Sequence, residues 1–264
     1  ITKSRIEVVP PERPAAVPVK KSSIVTVPMK GSSMCVCVSM RPGSTVWFER
    51  SITFAPSGTL IDAASKAPKE FADVPREDDD LAAILYTSGT TGRSKGAMLT
   101  HDNLASNSYS LVDYWRFTDK DVLIHALPIY HTHGLFVASN VTLFARASMI
   151  FLPKFDPDLI LKLMARATVM MGVPTFYTRL LQNPGLSKEA TKQMRLFISG
   201  SAPLLADTHR EWSARTGHAV LERYGMTETN MNTSNPYDGA RIAGTVGLPL
   251  PGVALRIADP DTGK

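Results

Sequence analysis

The chain has 264 residues, 44% of them hydrophobic, with 29 Lys and Arg against 24 Asp and Glu, two Cys and a pI near 9.2. That apolar fraction at this length builds a sizeable core in one large or two small domains, which excludes wholesale disorder; two cysteines exclude a disulfide scaffold, and no apolar run reaches the about 18 residues a spanning helix needs. The basic pI raises nucleic acid as a partner, but residues 1–50 hold eight cations and three anions, and the rest of the chain carries 21 of each sign. Only Trp47-Phe48 sets aromatics among those cations, so nucleic acid is not expected to be a partner.

Residues 1–50 also contain six Pro and both cysteines, lack Asp, and show no sustained helical period. Ile24–Val27 and Met34–Val38 predict at most short strands in a flexible or partly extended arm. A loosely transit-like composition and a mis-joined segment also fit this stretch. Cys35 and Cys37 are too close for the usual two-residue-spaced zinc pair, and no second pair completes a site. Both thiols are expected to be incidental and the compartment reducing, with the cytoplasm expected and an organelle left open.

From about residue 80 the chain becomes regular. Leu81–Tyr86 reads as a buried strand that stops at a Thr/Ser/Gly loop. A helix over 101–115 with Thr100 as cap follows, then a strand at 122–127, a helix at 134–147 and a strand at 148–152. Asp156-Pro-Asp opens a helix to about Arg166, with Pro157 at the favoured first position and acidic residues at its positive end. Strand 168–173, helix 174–182, strand 196–199, helix 204–216, strand 219–223 and a last strand at 253–258 complete the alternation. Such alternation predicts an α/β fold with a largely parallel sheet and flanking helices, in which ligands collect at the strand ends.

Between the first strand and helix lies Thr87-Ser-Gly-Thr-Thr-Gly-Arg-Ser-Lys-Gly96. Three glycines, hydroxyl side chains and two cations suit a phosphate cradle, which needs closely approaching backbone N–H groups, hydroxyl donors and positive charge. A polar surface turn has the same composition. The P-loop is a different pattern: it places Gly directly before Lys, whereas Ser94 precedes Lys95 here, and Ala97-Met98-Leu99 looks extended rather than helical.

Tyr86-Thr-Ser-Gly-Thr-Thr-Gly-Arg-Ser-Lys-Gly96 resembles the nucleotide loop of the adenylate-forming (acyl-CoA synthetase) superfamily. Further segments fit in the family's order: Leu127-Pro-Ile-Tyr-His131-Thr-His133-Gly134, Gly200-Ser-Ala-Pro-Leu204, Tyr224-Gly-Met-Thr-Glu228 and Gly244-Thr-Val-Gly247-Leu-Pro-Leu-Pro251-Gly252. One Gly-rich loop is weak evidence; five ordered motifs are strong. Within the superfamily the resemblance is closest to the malonyl-CoA synthetases, which join malonate to coenzyme A with ATP through a malonyl adenylate, and it runs from roughly residue 55 to the end.

The resemblance implies roles for these residues. Thr87, Ser88, Thr90, Thr91 and Lys95 would hold the β- and γ-phosphates, with Gly89 and Gly92 allowing close approach. Thr227 would donate to the α-phosphate and Glu228 would hold Mg²⁺, an ion usually bound through one or two carboxylates plus phosphate. Tyr224, followed by Gly225 and Met226, would stack on adenine beside Ser201, Ala202 and Pro203. Without its neighbours, Thr227-Glu228 reads equally as a helix cap with an acidic first turn. His131 is expected at the acyl pocket, orienting the carboxylate. His133 has proximity alone, and a structural role or a shared metal with His131 stays open.

Malonate keeps a second carboxylate after activation, and burying that charge without a partner is very costly. The resemblance puts Arg179 in the role of its partner, with Ser201 as a second ligand. By itself, an Arg late in a helix reads as a solvated residue favoured by the helix dipole.

Residues 1–50 do not resemble the family's longer N-terminal portion. The chain also stops before the family's ribose-binding Asp, its hinge and the small domain that carries a catalytic Lys. The expectation is therefore a partial adenylation domain over 51–252, the start of a following β subdomain at 253–264, and little turnover by this chain alone. Another short acid such as methylmalonate, and a non-catalytic nucleotide-binding role, remain alternatives.

Overall fold

The computed structural model describes residues 5–9, 24–26, 36–38, 74–87, 95–259 and 262. Residues 14–77 form one compact unit, and residues 1–13 with 78–264 form another. Strand β1 (Arg5–Val9) belongs to the larger unit. In the smaller one, β2 (Ile24–Thr26) and β3 (Val36–Val38) pair antiparallel, with Val25 opposite Cys37.

The larger unit opens on a hairpin of β4 (Leu81–Thr87) and β5 (Lys95–Thr100), so the segment expected to be extended after the glycine-rich loop is a strand. Their register sets Thr87 opposite Lys95, which brings together the two ends of that loop. Ser88, Gly89, Thr90, Thr91 and Gly92 lie outside the described residues. Thr100 caps α1 (His101–Tyr114): its hydroxyl accepts from the Asn103 N–H at 3.2 Å, and Asn103 Oδ1 accepts from the Thr100 N–H at 3.1 Å. Two otherwise unpaired donors at the helix start are thereby satisfied.

The central strands are β6 (Val122–His125), β7 (Ser148–Phe151), β8 (Val169–Gly172), β9 (Leu196–Ser199) and β10 (Leu221–Met226), all parallel to one another. Two antiparallel strands, β11 (Asn230–Ser234) and β12 (Leu248–Pro249), extend this sheet to the order β12-β11-β10-β9-β8-β6-β7. Crossovers run through α2 (Ser139–Phe144), α3 (Pro157–Met164), α4 (Pro174–Leu181) and α5 (Ala206–Thr216). Asp156 accepts from the Leu159 N–H and Pro157 takes the first helical position, as the Asp-Pro-Asp pattern predicts. Gly217, at φ +80°, ends α5 in the left-handed conformation that glycine adopts without strain. The last strand, β13 (Ala254–Ala258), pairs antiparallel with β1.

Three local expectations are corrected. The strand from Leu81, expected to be buried, is partly exposed, with Leu81 at 44% and Tyr86 at 73%. The strand from Val122 stops at His125 rather than 127, and the helix expected over 134–147 is a π-helical turn at His133–Ala138 running into α2. Its cause is visible at Gly134, whose carbonyl receives the Ser139 N–H five residues on, the Ser139 hydroxyl at 2.9 Å and a hydrogen bond with His125 Nε2 at 2.9 Å. The antiparallel extension had no counterpart in the sequence pattern, because Asn230-Met-Asn-Thr-Ser234 is too polar to read as a buried strand. It is fully buried all the same, because Asn107 brackets the Met231 backbone on both sides and Trp115 Nε1 donates to Ser234 Oγ at 3.0 Å.

The continuous apolar character of β8 and β9 follows from a sheet covered on both faces. Val169, Met170 and Met171 and Leu196, Phe197 and Ile198 are all sealed from solvent. Trp212 of α5 meets Tyr177 of α4 and Phe197 edge-on at 4.9 and 5.0 Å. At the amino edge of the sheet, buried Asp121 accepts from both arms of the Arg195 fork at 2.7 Å, from Thr168 Oγ1 at 2.7 Å and from the Thr118 N–H at 2.8 Å. Asp121, Thr168 and Arg195 directly precede β6, β8 and β9, so one carboxylate ties three strand starts together. Among the described residues no helix is long and apolar enough to cross a membrane.

Candidate functional site

The loops at the carboxyl ends of the parallel strands converge on a cavity of about 650 Å³. This is where an open α/β sheet places its ligands, because the strand ends leave a crevice between diverging connections. The β4–β5 hairpin contributes Thr87 and Lys95; the segment after β6 contributes His131, Thr132 and His133; the loop after β9 contributes Ser201; and β10 with its hairpin contributes Arg223, Gly225, Met226, Thr227, Glu228 and Met231.

Eight residues expected at a site therefore share one wall: Thr87, Lys95, His131, Ser201, Gly225, Met226, Thr227 and Glu228. Thr227 and Glu228 sit in the turn between β10 and β11, so the helix-cap reading of that pair is corrected. Gly225 is required there, since a Cβ would come within 2.1 Å of the Asn230 carbonyl across the hairpin. Ala202, Pro203, Tyr224 and Arg179 are not on the wall. Ala202 and Pro203 are exposed next to Ser201, while Tyr224 donates its hydroxyl to Met226 Sδ at 3.8 Å. Arg179 lies exposed in the last turn of α4 with its guanidinium 4.7 Å from the centre of the Phe155 ring, a cation–π contact.

The wall also holds residues the sequence did not single out. Arg223 is 3% exposed, and its Nε and Nη2 have no hydrogen-bond partner among the described residues. Burial brings its pKa down to about 9, with buried Tyr177 partly opposing the shift. Its neighbour Glu222 is on the other face of the strand, held by His209 Nδ1 at 3.0 Å and the Gly244 N–H at 3.2 Å. A pair of adjacent charges inside a strand that is otherwise apolar was the available signal.

Beside Arg223, His133 Nδ1 is 3.2 Å from Ser201 Oγ, and the His133 N–H donates to His131 Nδ1 at 3.3 Å. Burial first, and then the Arg223 charge, hold both imidazoles below their usual pKa, His133 far below. His133 Nε2 and Thr132 Oγ1 are buried without partners. Ser201 itself sits at φ +69°, a strained conformation for a non-glycine residue that concentrates at functional sites. The cavity lining thus mixes two kinds of residue. Lys95, His131, Ser201 and Glu228 are exposed parts of it, whereas Thr132, His133 and Arg223 are buried. No group of three or more metal-ligating side chains occurs among the described residues, which leaves His131 and His133 without the partners a zinc site needs.

Comparison with known proteins agrees with the fold and with the family resemblance. The malonate–CoA ligase of Arabidopsis thaliana is 44% identical over 201 residues, 69% of this chain and 33% of the relative. ATP-bound MatB from Rhodopseudomonas palustris is 81% identical with a TM-score of 0.76, covering 79% of this chain and 41% of that one. A malonyl-CoA ligase solved as a ternary product complex with methylmalonyl-CoA and AMP is 42% identical with a TM-score of 0.64, covering 68% and 41% of the two chains. The chain thus spans about a third of the curated relative it matches. Residues 33–264 match the AMP-binding enzyme family, to which this chain belongs.

Proposed function

We propose that the chain carries the nucleotide and acid site of an ATP-dependent malonate–CoA ligase. The observation that carries this reading is the single cavity on which the hairpin ends, the His131 segment, Ser201 and the Thr227-Glu228 turn meet. The likeness to malonate–CoA ligases supports the choice of acid.

In the first half-reaction a malonate oxygen attacks the α-phosphorus of ATP and pyrophosphate departs, leaving malonyl adenylate; coenzyme A then displaces AMP. Such a transfer is catalysed chiefly by positioning and by charge placed where charge develops. Thr87, Lys95 and the intervening loop would hold the β- and γ-phosphates, and Thr227 would donate to the α-phosphate. His131, neutral at pH 7, would orient the attacking carboxylate as a hydrogen-bond donor. Tyr224 would stack on adenine beside Ser201, Ala202 and Pro203. On this reading residues 51–252 belong to the adenylating domain and 253–264 open a further β subdomain.

A Mg²⁺ ion fits the chemistry of the wall, where Glu228 is the one carboxylate among the described residues and is exposed. A single carboxylate plus phosphate oxygens is a usual set for that ion, which would neutralise charge on the phosphates. The methylmalonyl-CoA complex of a relative favours methylmalonate as a second substrate.

Calorimetric titration of the purified chain tests the reading. Saturable binding of ATP with Mg²⁺, and of malonate in preference to acetate, is expected. Absence of ATP binding, or equal affinity for acetate and malonate, would refute it.

A further inference from the structure

Strand β6 ends on a histidine sealed from solvent. The His125 ring is tilted against Phe151 of β7 at 4.9 Å, and its backbone carbonyl accepts from the Leu152 N–H at 2.9 Å. Its Nε2 lies 2.9 Å from the Gly134 carbonyl oxygen and 3.3 Å from Ser139 Oγ, whereas Nδ1 has no partner among the described residues. Burial lowers the His125 pKa, so the ring is neutral at pH 7 and carries one N–H hydrogen. That hydrogen belongs on Nε2, because two bare acceptors 2.9 Å apart would repel each other. The Gly134 carbonyl therefore accepts from His125 as well as from the Ser139 hydroxyl and N–H. In an α-helix it would accept from residue 138; the bond to residue 139 inserts one residue into the turn and rotates what precedes it by about 100° against α2. What precedes it is cavity wall: His133 opens the turn, with its Nδ1 3.2 Å from Ser201 Oγ and its N–H on His131 Nδ1 at 3.3 Å. The approach to the turn is tightly folded back, since a Cβ at Gly134 would lie 2.2 Å from the Pro128 carbonyl oxygen.

We infer that His125 is a positioning residue: by holding the Gly134 carbonyl it fixes the π-helical turn in the phase that sets His133 against Ser201. His125 is not on the cavity wall, so it acts through the turn. The two bonds from Ser139 lie within the helical segment and move with it, whereas the bond from His125 ties that segment to a strand hydrogen-bonded between β7 and β8. Ser201 follows β9 in the same sheet, so the His125 contact is what references one side of the His133–Ser201 pair to the other. An imidazole at this point is otherwise costly. An apolar ring of the same size would pack equally on Phe151 at the end of a parallel strand covered on both faces, without an unpartnered buried Nδ1. What the wall receives rests on the malonate reading above; the geometry of the turn does not.

Nitrogen NMR of the histidine rings, with calorimetric titration of malonate and of ATP, tests this on the full chain. In wild type His125 is expected as the Nε2–H tautomer and His133 as a single neutral tautomer. His125→Phe keeps an aromatic ring of similar size and removes the donor. It should shift the His133 ring-nitrogen signals and weaken malonate binding about tenfold, the scale of one lost buried hydrogen bond, with ATP affinity held within about twofold. His125→Gln, whose amide N–H reaches about as far as Nε2–H, should restore most of both. If circular dichroism shows His125→Phe unfolded, His125→Asn decides by the same readouts, because its amide falls short of the carbonyl; failure of both variants to fold overturns the inference in favour of a purely structural role. An Nδ1–H tautomer for His125, or His133 signals or malonate affinity that stay at their wild-type values in the deciding variant, overturns it and leaves the malonate reading standing. An equal fall in ATP affinity, or no restoration by His125→Gln, does the same, since either marks a general loosening of the fold. If wild type binds no malonate, the malonate reading fails and the His133 signals alone decide the inference.

Discussion

Asp121→Ala tests whether the two edges of the parallel sheet divide stability from ligand binding. Asp121 is 3% exposed and accepts five hydrogen bonds, from Arg195 Nε and Nη2, Thr168 Oγ1, the Thr118 N–H and the Thr118 hydroxyl. Removing one partner of a buried ion pair costs about 3–5 kcal/mol, because the other charge is left uncompensated. The lower end applies here. The Arg195 side chain is 25% exposed and still donates to the Trp115 and Arg116 carbonyls. A loss of about 3 kcal/mol lowers Tm by about 6–12 °C for a unit of this size. The four-residue strand β6 separates the clasp from the site by about 13 Å. ATP affinity below the transition should therefore be unchanged. Thermal unfolding followed by circular dichroism, with titration of ATP at 20 °C, reads both quantities. Asp121→Ala with Arg195→Met should recover part of the loss, since the guanidinium left uncompensated by the first change is removed by the second. A Tm change below about 2 °C, or an ATP affinity that falls in step with Tm, would refute this division of labour.

Stability should fall on acidification in two steps. His133, His125, His131 and His218 all have pKa values held down by burial, so the unfolded chain binds more protons than the folded one once pH drops below the ordinary imidazole value near 6.5. Burial would raise the Asp121 pKa, but Arg195, Thr118 and Thr168 outweigh it, and the net lowering gives stability that is lost as pH falls from the ordinary carboxylate range through the lower folded value. Denaturant titrations from pH 8 to 3 should show both losses, and nitrogen NMR at pH 6 should find His133 neutral; an imidazolium signal for His133 at that pH would contradict its burial beside Arg223. Glu228→Gln should abolish most of the gain in ATP affinity that Mg²⁺ confers, about tenfold, with metal-free affinity unchanged. Retention of the full Mg²⁺ effect would remove Glu228 from the metal role.

Much of the frame was legible because its signals are local. Asp156-Pro157, Thr100 and the short apolar runs of β8 and β9 announce caps and buried strands through nearest-neighbour chemistry, and the structure keeps them. The motif residues were legible by resemblance, and the cavity gathers Thr87, Lys95, His131, Ser201, Thr227 and Glu228 from stretches far apart in the chain. What stayed hidden depends on partners distant in sequence. The polar strand β11 is buried because Asn107 and Trp115 meet it across the fold, and the break at Gly134 arises from His125 and Ser139 closing on one carbonyl.

Charge shows the same division. The sequence by itself determined that the net +5 is concentrated in the first fifty residues and that the remainder is neutral, since counting needs no geometry. Only the tertiary structure decided which of the balanced charges lack a counterpart. In a strand, neighbouring side chains take opposite faces, so Glu222 meets His209 while Arg223, one residue on, lines the cavity without an acid beside it. Arg179, the cation that the family resemblance favoured, is exposed on a helix surface, as its place late in the helix suggested, and burial rather than residue type separates the two.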